Sequence, residues 1–340
     1  MLIWNDGLVL SKANLAVDFC RPQACAFVSH AHADHYARHQ MALCTPETAA
    51  VYLHRIANGH SGKSSKAKLA ATALKHRVKE MPYGRMIEWG GLQLTTYPAG
   101  HCLGSAMLYA SDPDCGESLL YTGDFKLGPS RTSREIEIPQ ADILVMECTF
   151  GTPKHRLPPR EEVIGEFLRL IKRTLELDET PVVFAYSFGK SQEITRILLD
   201  AGYRVQQHPT IFEISEIYER YGINLGIKNS DTIPLQAGHK ADDDRALIVP
   251  PRSSFETKRN STTFAVTGWA VESGAKYRYG VDYTLPLSDH AGYDELIEMV
   301  RRVNPKITYC THGPIEFVDR LNELGLTARP IDRPWQQRLF

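Results

Sequence analysis

Ser29-His30-Ala31-His32-Ala33-Asp34-His35 sets four residues able to bind a transition metal within six positions. The stretch follows Ala26-Phe27-Val28 directly, a run that reads as a short buried strand. Side chains of an extended segment alternate faces, so His30 and His32 point the same way and can share one ion. Asp34 and His35 come where the chain must turn into its next element, and they can face a second ion. Neutral imidazole nitrogens and a carboxylate oxygen suit zinc, and manganese or iron with less preference. A histidine-rich surface loop is the bland alternative. Three His and one Asp in this order, with further His and Asp downstream, favour a metal site over it.

The flanking chain reads as alternating short strands and turns. Gly7-Leu-Val-Leu and Leu15-Ala-Val-Asp18 suggest an antiparallel hairpin. Thr45-Pro46-Glu47 is a helix start, with Thr as N-cap and Pro in the first helical position, and the helix is expected to run to about Ala57. Asn58-Gly-His-Ser-Gly-Lys-Ser-Ser65 superficially resembles a nucleotide-phosphate loop. It fails that test because Ala57 stands where the first Gly should be and no strand precedes it. Met86–Trp89, Leu92–Tyr97, Ala106–Tyr109, Leu119–Thr122 and Ala141–Glu147 predict further strands of a mainly antiparallel sheet. From Pro159 the pattern changes to helix, strand, helix, helix, which predicts an α/β insertion. The expected boundaries are 1–155 for the first part of the main domain, 156–262 for the insertion and 263–340 for the return.

Composition limits the class. With 340 residues, 43% hydrophobic and 23% charged, the chain has the make-up of a soluble globular protein. No basic region followed by an apolar core opens it, and no run approaches membrane-spanning length, so the expected location is cytoplasmic, without a membrane partner. Seven Cys with no Cys-x-x-Cys pair argue against a disulfide framework or a thiolate zinc site. A net charge of −1 does not advertise a nucleic-acid binder. Distribution matters more: between Thr48 and Lys79 there is no Asp or Glu, while Arg55, Lys63, Lys66, Lys68, Lys75, Arg77 and Lys79 all occur. Such a strip can guide a polyanion or can be a solvated basic loop, and both readings stand.

His30-x-His32-x-Asp34-His35, with Pro98-Ala-Gly-His101, Tyr121-Thr-Gly-Asp124, Met146-Glu147, Ser288-Asp-His290 and Thr311-His312, resembles the motif series of metallo-β-lactamase-fold nucleases of the β-CASP type. The compact bacterial branch of DNA-ligase-associated exonucleases is the nearest likeness, and the resemblance runs from about Asp18 to about His312. It implies an α/β fold: a metallo-β-lactamase αββα sandwich with a small inserted β-CASP-like cap. It also implies two divalent metal ions, zinc foremost, held by His30, His32, Asp34, His35, His101, Asp124 and His312, with Asp124 as the bridge. Asp18 would support the ligands from behind, where a simple turn-forming Asp is the alternative.

Catalysis by resemblance falls to Asp34, Glu147 and His290, with Glu147 orienting His290 to donate a proton to the departing sugar oxygen. Ser187-Phe-Gly-Lys190 lies between a strand and a helix of the insertion. Ser187 and Lys190 either hold a substrate phosphate or are an ordinary N-cap and an exposed Lys. The expected activity is a two-metal DNA exonuclease, 5′ to 3′, acting on single strands or DNA ends in repair or ligation, with a DNA ligase as functional associate. An RNA-processing nuclease of the same fold is the alternative, and a thioester or lactone hydrolase a more distant one.

Overall fold

Short apolar runs punctuated by Gly, Asn and Asp build the first sheet of the computed structural model, which describes residues 1–4, 6–58 and 76–331. Strands β1 (Leu2–Trp4), β2 (Leu8–Leu10) and β3 (Leu15–Val17) form an antiparallel meander. To its edge β4 (Cys25–Phe27), β5 (Met41–Cys44) and β6 (Arg77–Glu80) add in parallel. The second sheet has the order β19-β18-β11-β10-β9-β8-β7. Its antiparallel half is β7 (Ile87–Trp89), β8 (Leu92–Pro98), β9 (Ala106–Ser111) and β10 (Ser118–Tyr121); its parallel half adds β11 (Ile143–Glu147), β18 (Ile307–Thr311) and β19 (Ala328–Pro330). The sheets are thus mixed, where hairpin spacing had predicted mainly antiparallel pairing. Short Gly and Pro turns announce the hairpins, whereas a parallel pair such as β11 with β18 joins strands far apart in the chain.

The two sheets share one core. Leu8, Leu10, Val17, Phe27 and Leu43 from the first meet Leu94, Leu108, Leu119 and Val145 from the second. Full burial of each such side chain contributes roughly 1.5–3 kcal/mol relative to exposure, so β4, which delivers the His-rich loop, is firmly held. Helix α1 (Pro46–Asn58) packs beside β6. Its start is as the sequence predicts, with the Thr48 N–H donating to Thr45 Oγ1 at 3.2 Å. Behind the second sheet, α6 (Tyr293–Val303) and α7 (Ile315–Glu323) bury Leu296, Val300, Phe317 and Leu321. The layers are therefore helix, sheet, sheet, helix.

These elements make up one compact unit: Met1–Pro129, Ser133–Pro153 and His290–Phe340. Parallel neighbours end on the same side, so β3 and β4 bring Asp18 to Ser29 and His30. Likewise β10, β11 and β18 bring Asp124, Glu147 and His312 to one edge, with Glu147 level with Thr311.

The second unit is Ser130–Thr132 with Lys154–Asp289. It holds a wholly parallel six-stranded sheet, β14 (Thr232–Pro234), β13 (Arg204–Gln207), β15 (Arg245–Val249), β12 (Thr180–Phe184), β16 (Ser261–Val266) and β17 (Tyr283–Leu285). Around it are α2 (Arg160–Glu176), α3 (Lys190–Asp200), α4 (Pro209–Arg220) and the short α5 (Ala275–Tyr279). On α2, Val163, Phe167, Leu170 and Ile171 form the buried stripe that their spacing predicts. The insertion extends past 262 to Asp289, because β16 pairs with β12, and β17 with β16, in this sheet instead of returning to the main one. Among the described residues no helix is long and apolar enough to cross a membrane. All seven cysteines are free thiols.

Candidate metal centre

The loop leaving β4 and the loop leaving β8 turn three imidazoles toward one carboxylate. His30 Nε2 lies 2.9 Å from His32 Nδ1, and His101 Nε2 lies 3.1 Å from the same atom. Asp124 Oδ2 is 3.3 Å from His30 Nε2 and 3.9 Å from His101 Nε2. One ligand atom from each of these four residues lies within 4.8 Å of the others. Three ring nitrogens and a carboxylate oxygen converging on one point are the donor set of a zinc-type cation, and the residues fit such an ion.

Asp124 also faces a second group. Its Oδ2 is 3.3 Å from His35 Nε2, which is 3.7 Å from Asp34 Oδ2, and the rings of His35 and His312 are centred 6.0 Å apart. His35 and Asp124 thus border a second candidate position, which Asp34 and His312 approach on the His35 side without the close four-residue convergence of the first. His312 and Asp18 have φ of +51° and +50°, a left-handed backbone that costs a non-glycine residue of order 1–3 kcal/mol and is concentrated at working sites.

Asp18 supports both groups from behind. It accepts from the Ser29 N–H at 2.7 Å, from the Ser29 hydroxyl, from the Tyr121 hydroxyl at 2.8 Å and from His35 Nδ1 at 2.7 Å. A proton held on Nδ1 leaves His35 Nε2 as the lone-pair nitrogen facing Asp124. Ser29 Oγ lies 3.0 Å from His30 Nδ1 and gives His30 the same orientation. Asp18 is therefore an orienting carboxylate and not a simple turn residue. Motif reading missed Ser29 and Tyr121; their only signals were a hydroxyl directly before His30 and a phenol at a strand end. Gly123 (φ +55°) leaves room for Ser29, since a Cβ there would stand 2.7 Å from Ser29 Oγ.

Burial pushes His30 well below the usual histidine range, and the adjacent His35 adds to this. Burial opposes the His35 imidazolium as well, but the carboxylates of Asp124 and Asp18 hold it well above that range. Asp124 is likewise penalised by burial, yet His35 and His290, with hydrogen bonds from His30 and His35, keep it well below the usual carboxylate range. A permanently ionised carboxylate amid imidazoles is a site built for positive charge.

Beside this cluster stands a second pair. His290 Nδ1 is 3.0 Å from Glu147 Oε1, and its Nε2 points toward the cluster, 3.9 Å from Asp124 Oδ2. Glu147 is buried; its carboxylate accepts from the Phe125 N–H at 3.1 Å and from the Thr149 hydroxyl at 2.6 Å. Thr149 went unnoticed in the sequence, where only its place two residues after Glu147 could have flagged it.

Ser187 and Lys190 do not form an open phosphate pocket. Lys190 is only 1% exposed, with Nζ 3.5 Å from both Glu193 and Asp289, and Arg160 pairs with Glu193 as well. The helix-start donors are also engaged: the Gly189 N–H donates to Gln192 Oε1 and the Ser191 N–H to Tyr186 O, while Ser187 O accepts from Gln192. An anion there would have to displace carboxylates already in place. Of the basic strip, Arg77 and Lys79 are exposed on β6, Arg55 is bound to the His-rich loop, and Lys63, Lys66, Lys68 and Lys75 lie outside the described residues, as does Gly59–Ser65 of the phosphate-loop lookalike.

A helix-sheet-sheet-helix frame with these donors along its strand edges defines a metallo-hydrolase. A family model described as "Zn-dependent metallo-hydrolase RNA specificity domain" matches residues 276–331, which include His290 and His312. Over 342 residues the chain is 35% identical to a protein named "Probable DNA ligase" from Opitutus terrae, an alignment covering 99% of this chain and 31% of that protein. It is 33% identical over 149 residues to "Endoribonuclease YSH1" of Yarrowia lipolytica, covering 43% of this chain and 17% of that one. A solved structure of a protein of unknown function from Enterococcus faecalis V583 matches with a TM-score of 0.61 over 91% of this chain and 79% of that chain; at 14% identity it shows the shared fold alone. The chain spans about a third of the length of the ligase-named relative and less of the endoribonuclease. In these likenesses the chain resembles the metallo-β-lactamase/β-CASP nucleases.

Proposed function

We propose that the chain is a two-metal phosphodiester hydrolase, and specifically a DNA exonuclease working 5′ to 3′ to prepare ends for repair or ligation. The observation that carries this reading is the Glu147–His290 pair set beside the imidazole cluster. Thioester hydrolysis, which expels a weakly basic thiolate, has no comparable need for an oriented imidazole that delivers a proton to an alkoxide leaving group. One cation would sit among His30, His32, His101 and Asp124 and a second among Asp34, His35, Asp124 and His312, zinc preferred and manganese accepted. Bound there, such ions supply Lewis acidity toward a phosphate and lower the pKa of an attacking water.

The protein's own groups do the rest. Buried Glu147 holds His290 Nδ1 at 3.0 Å, which fixes the ring so that Nε2 is the nitrogen directed at the leaving oxygen. Asp34, whose side chain is 55% exposed, can accept a hydrogen bond from incoming water. Asp18 and Ser29 hold the His35 and His30 tautomers while charge moves.

DNA as substrate is supported by the ligase-named relative, whose similarity runs through 99% of this chain. End trimming beside ligation is coherent chemistry, since a ligase needs clean ends, and a DNA ligase is the proposed functional partner. A second reading, an RNA-processing nuclease, is favoured by the endoribonuclease relative and by the wording of the family model. The test uses zinc- or manganese-loaded protein with end-labelled single-stranded DNA, with and without a 5′-phosphate, duplex DNA and RNA. Stepwise release of mononucleotides from the 5′ end of DNA, lost in Asp34→Ala, is the expected result. Cleavage confined to RNA selects the second reading.

A further inference from the structure

One helix touches both loops that carry the histidines of the first cation position. At the start of α1, the hydroxyls of Thr45 and Thr48 donate to Gly104 O at 2.7 and 2.8 Å, pinning the turn just after His101. The approach is close: Gly104 has φ of +80°, and a Cβ on it would lie 2.5 Å from Thr48 N. At the other end, Arg55 Nη1 donates to Ala31 O at 2.6 Å, the carbonyl between His30 and His32. One turn earlier, the Tyr52 hydroxyl donates to Ala37 O at 2.9 Å and accepts from the His39 N–H at 3.2 Å. Arg38 of the loop returns a hydrogen bond to Ile56 O at 3.2 Å, and the rings of Tyr36 and Tyr52 meet edge to face.

We propose that α1 is a splint that fixes the His30/His32 loop relative to the His101 loop, with Thr48 and Arg55 as positioning residues of the metal centre. Seven residues of α-helix separate them, a rigid strut about 10 Å long. Ala31 O belongs to the peptide that enters His32, so holding it sets the direction of the His32 Cα–Cβ bond. His30 and His35 are oriented through their side chains by Ser29 and Asp18, whereas Arg55 acts on His32 through the main chain. Arg55 in the last helical turn also suits the helix dipole, but a dipole role needs only charge and has no use for a bond to Ala31 O. The proposal rests on reading the histidine cluster as a cation site.

Zinc affinity of the full chain, measured by competition with a chromogenic chelator, tests it, with circular dichroism of the metal-free protein read alongside. Arg55→Met, which keeps the unbranched apolar stem, and the isosteric Thr48→Val should bind zinc about 10–100-fold more weakly. Arg55→Lys and Thr48→Ser, which restore a donor, should recover most of the loss, and Lys172→Met on α2 should bind as the unaltered chain does. Should Arg55→Met fail to fold, Tyr52→Phe reads the same end of the helix by removing one hydroxyl. Unchanged affinity in Arg55→Met and Thr48→Val overturns the splint, and so does a loss that Lys and Ser fail to recover. Failure of the unaltered chain to bind zinc would instead refute the cation site itself, and the splint with it.

Discussion

Asp18→Asn removes one formal charge while preserving shape, and the contacts of Asp18 say what must follow. The carboxylate takes four donors: the Ser29 N–H and hydroxyl, the Tyr121 hydroxyl and His35 Nδ1. An amide has one oxygen, which can keep the Ser29 N–H, and its NH2 then faces three groups that were donating. The hydroxyls can rotate. His35 can accept on Nδ1 only by moving its proton to Nε2, the nitrogen facing Asp34 and Asp124, and a protonated Nε2 cannot bind a cation. The loss should therefore fall on the second position, as a 10–100-fold weaker affinity for one of two ions, or about 1.4–2.7 kcal/mol. A further cost of about 1–3 kcal/mol in fold stability comes from the mismatched buried donors. Metal analysis after dialysis against graded free zinc should show occupancy falling from two ions toward one, with the first retained. Two ions bound as tightly as in the unaltered chain would refute the tautomer argument.

Lys190→Met should destabilise the protein by about 1.5–3 kcal/mol, because it removes the buried ammonium that Glu193 and the partly exposed Asp289 share while Arg160 still pairs with Glu193; a denaturant melt at native stability, with altered preference for 5′-phosphorylated ends, would restore the phosphate-pocket reading. In the metal-free protein, burial pushes His39 down to about 4 and His30 also well down. Both stay neutral in the fold while the unfolded chain takes up protons near pH 6.5, so stability is full above about pH 6.5 and is lost as pH falls toward about 4. His35, raised, acts on the other side: its contribution is full below about pH 6.5 and fades as pH climbs through its folded-state pKa. Thermal midpoints across this range should fall on the acid side, and a flat profile would contradict the burial argument. Glu147→Gln should keep zinc occupancy but lower kcat by about 10²–10⁴; an equal fall in bound metal would assign Glu147 to the cation site instead.

The cluster of imidazoles and carboxylates was legible because each of its residues sits next to a strand end, and short apolar runs ending in His or Asp are local signals. Asp18, His101, Asp124, Glu147, His290 and His312 could each be placed by motif, and the structure brings them to one edge of one unit. Less legible were features set by distant contacts. Nothing local shows that Tyr121 donates to Asp18, 103 positions earlier in the chain, or that Arg55, one cation of a basic strip, bonds to Ala31 O. Lys190 misled for the same reason: a Ser-x-Gly-Lys turn before a helix looks like an anion site until Gln192, Glu193 and Asp289 fill it. The end of the insertion was missed because a parallel strand such as Ser261–Val266 carries no mark of the sheet it joins.

The central claim is that His290 delivers a proton to the leaving oxygen of a phosphodiester held at this centre. Single-turnover cleavage by the zinc-loaded His290→Ala protein should be compared on two substrates, an ordinary oligodeoxynucleotide and thymidine 5′-p-nitrophenyl phosphate, whose p-nitrophenolate leaves without a proton. His290→Ala should lose about 10²–10⁴ on the oligonucleotide and keep near-native turnover of the nitrophenyl ester. Equal losses on both, or none on either, would contradict the claim.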